Sequence, residues 1–363
     1  MKNTSLKKMP EADLTEMISV IVPVYQASGT LEECVDSLLA QEDAGEYEII
    51  LVDDGSTDGS GEICDRLAEE ELRVRVCHTE NRGAAAARNR GICEAAGELI
   101  SFTDSDDTVE PDYLNYLRRL RAAAGTRLVV AAHDTPEPGC ACCGGGCKER
   151  PEQKDGGSRL LYYPGKNAVE ALLYQDHFMS VPWGMLSERS LWDEVRFPEG
   201  TEAEDMGTIY RLFLAAGDVA YGDRVVYHYI RWPSSTVSTT GSTRNPAYYR
   251  HSREMVRRIK AECPDALKAA NHRHFSACCQ ILSESSLSER SAFIKRVRSD
   301  LAILSPGILK DRDARKKNRA AALIAMISPL LLHLLLRAYV KSRTSPDAEG
   351  CCKKGCCGEG CCG

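Results

Sequence analysis

A chain of 363 residues that is 43% hydrophobic and 27% charged has the composition of a folded protein long enough for two domains, which excludes disorder throughout. Its 46 Lys plus Arg against 53 Asp plus Glu leave a net charge of -7, the wrong sign for a broad phosphate-binding surface, so nucleic acid is not expected as a partner. Met1 to Glu16 is polar and mixed in charge, without the apolar run of a secretory signal, and a cytoplasmic chain is expected.

After that polar tail (residues 1–16), Ile18 to Val24 is a β-branched apolar run and predicts the first core strand. Leu31, Cys34, Val35, Leu38 and Leu39 recur at helical spacing, and Tyr47 to Val52 predicts the next strand, ending in Asp53-Asp54-Gly55-Ser56. A helix from Ser60 to Glu71, a strand from Arg73 to His78, an Ala-rich helix from Ala84 to Ala96 and a strand from Leu99 to Thr103 follow. Strand–helix units repeating in this way predict an α/β core, Rossmann-like, with a mostly parallel sheet and flanking helices. From Pro136 to Ser158 the composition turns to Gly, Pro, Cys and charge, which predicts an exposed insert. Met206 to Ala216 reads as a helix, Val225 to Ile230 as a strand, and the chain beyond Pro246 as mostly helical.

Ala320 to Leu336 is uncharged, is broken by Pro329, and has Arg312, Arg315, Lys316, Lys317 and Arg319 before it and Arg337, Lys341 and Arg343 after it. A bilayer span of this length would be marginal, and Pro329 would divide it into two short helices. Basic residues beside apolar turns suit a helix lying in the interface of an anionic membrane, so a membrane-surface contact is expected there. The predicted organisation is a tail at 1–16, an α/β domain at 17–240 with the insert at 136–158, a helical region at 241–309, basic and apolar helices at 310–343, and a Cys-rich tail at 344–363.

Of the 17 Cys, seven stand apart (Cys34, Cys64, Cys77, Cys93, Cys263, Cys278, Cys279) and read as small buried hydrophobes. The others cluster at 140–147 and 351–362, where compositional drift is the simplest reading and soft-metal binding the main rival.

In open α/β sheets ligands bind beyond the carboxyl ends of the strands, and the residues there are acidic: Asp53 and Asp54 after the second strand, and Asp104, Asp106 and Asp107 after the fourth. Carboxylates at neighbouring strand ends repel unless a cation intervenes, which predicts an oxygen-ligated Mn²⁺ or Mg²⁺. The Asp54 to Gly59 stretch lacks the spacing of a calcium loop, and no Gly-x-Gly-x-x-Gly follows the first strand. Asp104-Ser-Asp106-Asp107-Thr108 also fits the nucleophile motif of haloacid-dehalogenase-type phosphatases, with Asp218 and Asp223 as a possible downstream pair, but such a motif belongs on a first core strand.

Seven pieces, in order, carry a stronger resemblance: Val20-Ile-Val-Pro-Val-Tyr25; Ser37-Leu-Leu-Ala-Gln41; Glu48-Ile-Ile-Leu-Val-Asp-Asp-Gly-Ser-Thr-Asp58; Asn81-Arg-Gly83 with Ala87-Arg-Asn-Arg-Gly91; Phe102 to Asp107 with Pro111 to Leu114; Trp183; and Glu204-Asp205 with Tyr227 to Ser235. Over about Ile18 to Ser238 the chain resembles the family 2 glycosyltransferases of GT-A fold that build bacterial surface polysaccharides. The resemblance implies an inverting, metal-dependent transfer from a nucleotide-sugar donor, of UDP type, to a glycan or lipid-linked acceptor, at the inner face of the cell membrane. It implies a donor cradle at Pro23, Val24 and Tyr25, with Asp53 or Asp54 accepting from the base, Arg88 holding the nucleotide, and Asp104 facing the ribose or the metal shell. It implies metal ligation by Asp106, with Asp104 and Asp107 as further candidates, and a general base at Asp205 beside Glu204. Trp183 and Arg231 are weaker candidates, for an acceptor floor and a diphosphate contact. The rival functions are the phosphohydrolase and an inactive sugar-nucleotide-binding homologue.

Overall fold

The structure is a computed structural model, and it describes residues 2–5, 15–136, 159–232, 241–286 and 291–343. Both cysteine clusters, and the expected insert from residue 137 to 158, lie outside these residues.

Ile18–Val24 forms β2, Tyr47–Asp53 β3, Val74–His78 β4 and Leu99–Phe102 β5. Residues of β2 and β3 are buried at nearly every position, as strands covered on both faces must be. They pair in parallel in the order β5-β2-β3-β4, with Val22 opposite Leu51 and Ile21 opposite Phe102. The crossovers are α1 (Leu31–Leu39), α2 (Ser60–Glu70) and α3 (Ala84–Glu94). Alternate residues feed two cores: Val20 and Val22 join Leu31, Val35 and Leu51 on one face, while Ile21 joins Ile50 and Phe102 on the other. α3 lies unusually close to β2, because a Cβ at Gly91 would stand 2.3 Å from Ile21 Cγ2. Arg88 is one turn earlier on that helix.

The other strands are β1 (Lys2–Ser5), β6 (Thr108–Val109), β7 (Leu128–Asp134), β8 (Arg159–Tyr163), β9 (Met185–Glu188) and β10 (Val219–His228). Among the described residues they complete a ten-stranded sheet in the order β1-β8-β10-β7-β9-β5-β2-β3-β4, with β6 on β10. The sheet is mixed. β9 runs antiparallel to both β5 and β7, and β8 antiparallel to β10, so parallel pairing is confined to the four N-terminal core strands and to β7–β10. Four-residue β9 carries too little periodicity to be read as a strand, and its position between two longer strands is a tertiary outcome. β10 starts six residues before the expected Val225, because its register shifts between Gly222 and Val225 interrupt the alternation. The expected polar tail supplies β1, which pairs with the otherwise open edge of β8; backbone groups, not side chains, make that pairing.

The remaining helices are α4 (Tyr113–Ala124), α5 (Lys166–Tyr174), α6 (Leu191–Glu194), α7 (Glu204–Ala216), α8 (Gly241–Glu262), α9 (Leu267–Glu284), α10 (Ala292–Lys310), α11 (Lys316–Ile327) and α12 (Pro329–Arg343). The chain divides into two compact units. One comprises Met1–Thr135, Gly157–Ile230 and Arg244–His274, and so contains the sheet; the other comprises Pro136–Gly156, Arg231–Thr243 and Phe275–Gly363. In the second, Ile294, Val297, Leu301 and Ile308 of α10 are buried, with Ala322 and Ala325 of α11 and Leu332 of α12. Among the scattered cysteines, Cys34, Cys64, Cys278 and Cys279 are buried and Cys77 and Cys263 half-buried, but Cys93 is exposed, on the outer side of α3.

Candidate active site

The strand-end residues form two linked groups. After β2, Val24 is fully buried and its carbonyl accepts from Asp54 N–H at 2.9 Å, so its side chain is core rather than ligand surface. Pro23 is half-buried and Tyr25 is 52% exposed. Gln26 adopts a left-handed φ of 51° and clasps the facing loop: its Oε1 accepts from Thr57 N–H at 2.7 Å, while its own N–H donates to Ser56 Oγ at 3.2 Å. Asp58 accepts from Ser28 N–H at 3.0 Å and from Ser60 Oγ–H at 2.6 Å, so the Gly-Ser-Thr-Asp turn binds loop to loop.

Asp53 and Asp54 are both buried. Asp53 Oδ1 accepts from Ser56 N–H at 3.0 Å, and Oδ2 lies 2.9 Å from His78 Nδ1. Burial alone would raise the Asp53 carboxyl, but the bonds from Ser56 and His78 outweigh it and hold the group below the usual range. The same bond, with one from Asp65, raises His78. Asp54 accepts from Arg82 N–H at 2.9 Å and Gly83 N–H at 2.7 Å, which fixes the entry to α3 at Gly83, where φ is 89°.

The second group follows β5. The Asp104 carbonyl accepts from Cys34 Sγ at 3.4 Å and the Ser105 carbonyl from Thr30 Oγ1 at 3.0 Å, so the start of α1 supports the loop from behind. Asp107 is fully buried: Oδ2 accepts from Tyr227 O–H at 2.6 Å and Oδ1 from Ile230 N–H at 2.9 Å, which pins the loop to the end of β10. That leaves Asp104 and Asp106 as the half-buried carboxylates of the motif. Burial and the charge of Asp104 push the Asp106 carboxyl up to about 6, and the same two causes raise Asp107. Among the described residues, no three His, Cys, Asp or Glu converge as a ready metal cage. Asp104 and Asp106, two half-buried carboxylates side by side, still fit Mn²⁺ or Mg²⁺ bound partly through substrate phosphates and water.

Arg88 joins the two ends of the sequence motif set. Buried at 5% exposure, it donates from Nη2 to Asp104 Oδ1 at 2.9 Å and from Nη1 to Glu204 Oε1 at 2.8 Å, with Asp205 Oδ1 at 3.7 Å. Burial opposes its charge, but Asp104, Asp205 and Glu204 together raise its pKa. Glu204 and Asp205 open α7 directly after Ala203, whose φ of 56° is costly for a residue with a Cβ and turns both carboxylates toward Arg88. Asn89 then locks the preceding loop, exchanging bonds of 2.9 and 3.0 Å with the Phe197 backbone, and the Arg88 guanidinium lies over the Phe197 ring.

Other candidates are located elsewhere. Trp183 is 5% exposed, stacked on Tyr227 at 4.7 Å and on Tyr229 at 5.4 Å with His133 at its edge, so it is a packing aromatic that braces the tyrosine holding Asp107. Arg231 is exposed and belongs to the second unit. His228, which reads in sequence as a diphosphate contact or a solvated strand end, is buried between Asp134 at 2.7 Å and Glu110 at 2.8 Å. Asp218 and Asp223 accept from the backbone N–H groups of Gly165 and Arg159 at either end of β8, 2.8 and 2.7 Å away, so each has a structural task. Gln26, Cys34, Asn89 and Tyr227 join the site without an individual role expected from the sequence. Only Asn89 and Tyr227 fall within the quoted motifs; Cys34 reads as one more apolar helix position.

Three comparisons bear on this geometry. The profile of Glycosyl transferase family 2 matches residues 19–140. Glycosyltransferase GlyG of Streptococcus pneumoniae serotype 4 is 34% identical over 241 residues, which cover 62% of this chain and 74% of GlyG. Among solved structures, S. aureus TarS 1–349 in complex with UDP-GlcNAc superposes with a TM-score of 0.59 at 16% identity, covering 90% of this chain and 92% of that one. The mannosyltransferase PcManGT of Pyrobaculum calidifontis, in complex with GDP-Man and Mn²⁺, superposes at 0.51 and 19% identity, covering 93% and 92% of the two chains. These likenesses establish the GT-A type of fold, a sheet unit with a helical C-terminal region.

Proposed function

The chain belongs to the family 2 glycosyltransferases, and from that premise we propose an inverting, metal-dependent enzyme that moves one sugar from a UDP-type donor to a hydroxyl of a glycan or lipid-linked acceptor in surface polysaccharide synthesis. The observation that carries this reading is the convergence on Arg88. Asp104, on the strand-end loop that would face the donor phosphates, and Glu204 with Asp205, on a helix start that would face the acceptor, lie within 3.7 Å of one guanidinium.

Displacement at the anomeric carbon needs a proton acceptor on the face opposite the leaving diphosphate. Asp205 suits that task better than Glu204, which Arg88 engages at the shorter distance of 2.8 Å. Glu204 and Arg88 act as the orienting pair. Pro23 and Tyr25 flank the donor base, and Asp53 or Asp54 accepts from its ring N–H; each carboxylate oxygen can take a second bond beyond the loop contacts it already makes. The UDP-GlcNAc complex of the structurally similar TarS supports a uridine donor. Asp106 and Asp104 would hold Mn²⁺ or Mg²⁺ with the donor phosphates, and the bound cation would offset charge growing on the leaving diphosphate. Asp107, fully buried, positions that pair. The enzyme works at the inner face of the cell membrane, where a lipid-linked acceptor is presented.

Family membership removes the phosphohydrolase alternative, and the structural tasks of Asp218 and Asp223 agree with that. The test is a screen of sugar nucleotides for Mn²⁺-dependent release of the nucleoside diphosphate with a glycan acceptor. Turnover with a UDP-sugar is expected. Donor binding without turnover across the screen would instead make the chain an inactive sugar-nucleotide-binding homologue.

A further inference from the structure

Among its described residues, the second unit presents an apolar surface that their own packing does not use. α11 and α12 each bury one side: Ala322 and Ala325 point inward from α11, and Leu332 and His333 from α12. His333 fixes that orientation, donating from Nε2 to the Ser285 carbonyl at 3.1 Å and accepting at Nδ1 from Arg298 at 2.8 Å. The opposite sides carry Leu323, Met326 and Ile327 on α11 and Leu330, Leu331 and Leu334 on α12, which are 41% to 76% exposed. Spacings of three and four residues gather each set into one stripe. Ser328 is extended between the two helices and Pro329 starts the second, so the stripes belong to a broken pair rather than one long helix.

The charge around these stripes selects the partner. From Ala314 to Arg343 the chain has seven Lys and Arg and no Asp or Glu, in a protein whose net charge is -7. Exposed Lys316 and Arg319 lie on the same side of α11 as Leu323 and Ile327, so cations rim the apolar stripe at one end. Two copies laid face to face would bring like charges together, which disfavours self-association. Neither helix, among the described residues, is long and apolar enough to cross a membrane. We infer that α11 and α12 lie flat in the headgroup region of an anionic phospholipid bilayer, apolar stripes down and cations against the phosphates. This deepens the membrane-face location proposed for the enzyme, but its test reads lipid binding rather than turnover, so the two can fail separately.

The experiment is co-sedimentation of the full chain with phosphatidylcholine vesicles that contain or lack phosphatidylglycerol, at low and high salt. Binding to the phosphatidylglycerol vesicles at low salt, weakened by added salt, is expected. Leu330→Ser with Leu334→Ser should lower that affinity about ten-fold or more. Lys316→Gln, Lys317→Gln and Arg319→Gln, all at exposed positions, should each lower it about five-fold and leave the thermal melt unchanged. An intact chain that stays in the supernatant with anionic vesicles at low salt overturns the inference, as do cation variants that bind like the parent. A dimer in sedimentation velocity that Leu330→Ser with Leu334→Ser dissociates would also overturn it, because the stripes would then cover a second copy.

Discussion

Asp205 and Asp106 carry separable parts of the proposed reaction. Asp205→Asn keeps the side-chain shape and removes proton acceptance, so turnover should fall about 10²-fold or more while UDP affinity, read by calorimetry, stays near the parent value. Unchanged turnover would take Asp205 out of the chemistry. Asp106→Ala should abolish the gain in UDP affinity that Mn²⁺ brings and leave the melting temperature of the metal-free chain no lower than before. The raised value of about 6 at Asp106, from burial and the Asp104 charge, also sets a sign for pH. A carboxyl that holds its proton more tightly folded than unfolded contributes less stability as pH rises from about 4 through 6, the reverse of an ion-paired acid. Asp106→Asn should therefore stabilise the metal-free chain more at pH 7 than at pH 5. Because a proton and a divalent cation compete for the same oxygen, Mn²⁺-assisted UDP binding should weaken below about pH 6. Equal effects of Asp106→Asn at both pH values would remove this titration from the account.

At the scale of elements, the site depends on how close α3 lies to β2. Gly91 permits that approach, and Arg88 on the same helix is thereby carried to the carboxylates of β5 and α7. Gly91→Ala would force Ile21 or the helix to move, at a cost of about 1–3 kcal/mol by the usual penalty for overpacking. Urea unfolding should register that loss, and turnover should drop further than stability alone explains, since the guanidinium shifts away from Asp104 and Glu204. A destabilised chain with full activity would show that α3 relaxes without moving Arg88. α7 is the second such element. Its start at Ala203 is strained, and helix propensity alone would begin it as readily at Met206, the first residue expected from the sequence.

For the whole molecule, the proposed chemistry and the inferred membrane contact fall in different compact units. The sheet unit holds every carboxylate of the proposed chemistry, and the second unit holds the basic, apolar helix pair. Substitutions such as Leu334→Ser should therefore leave Mn²⁺-dependent nucleoside diphosphate release unchanged with a water-soluble acceptor in detergent. A parallel loss of that activity would mean the units are coupled in catalysis. A net charge of -7 does not oppose the inferred vesicle binding, because a local concentration of cations governs contact within a Debye length.

The sequence by itself determined the strands that are buried on both faces, their crossover helices and the acidic residues at their ends. Those features follow from local periodicity and from chain reversals that every open α/β sheet requires, so Val20 to Tyr25, Asp53, Asp54 and Asp104 to Asp107 were legible without any contact information. It also fixed the order of the family motifs. Only the tertiary structure decided what each acid does. Three aspartates within four residues after β5 look alike in sequence, yet Asp107 is committed to Tyr227 and Ile230 while Asp104 meets Arg88, because β10 returns beside that loop from more than a hundred residues away. The same long-range closure buried Trp183 against Tyr227, took the tail residues into β1, and set β9 antiparallel within the sheet. Such outcomes rest on which backbone edge or ring face is left open when distant segments meet, and neither residue type nor spacing records that.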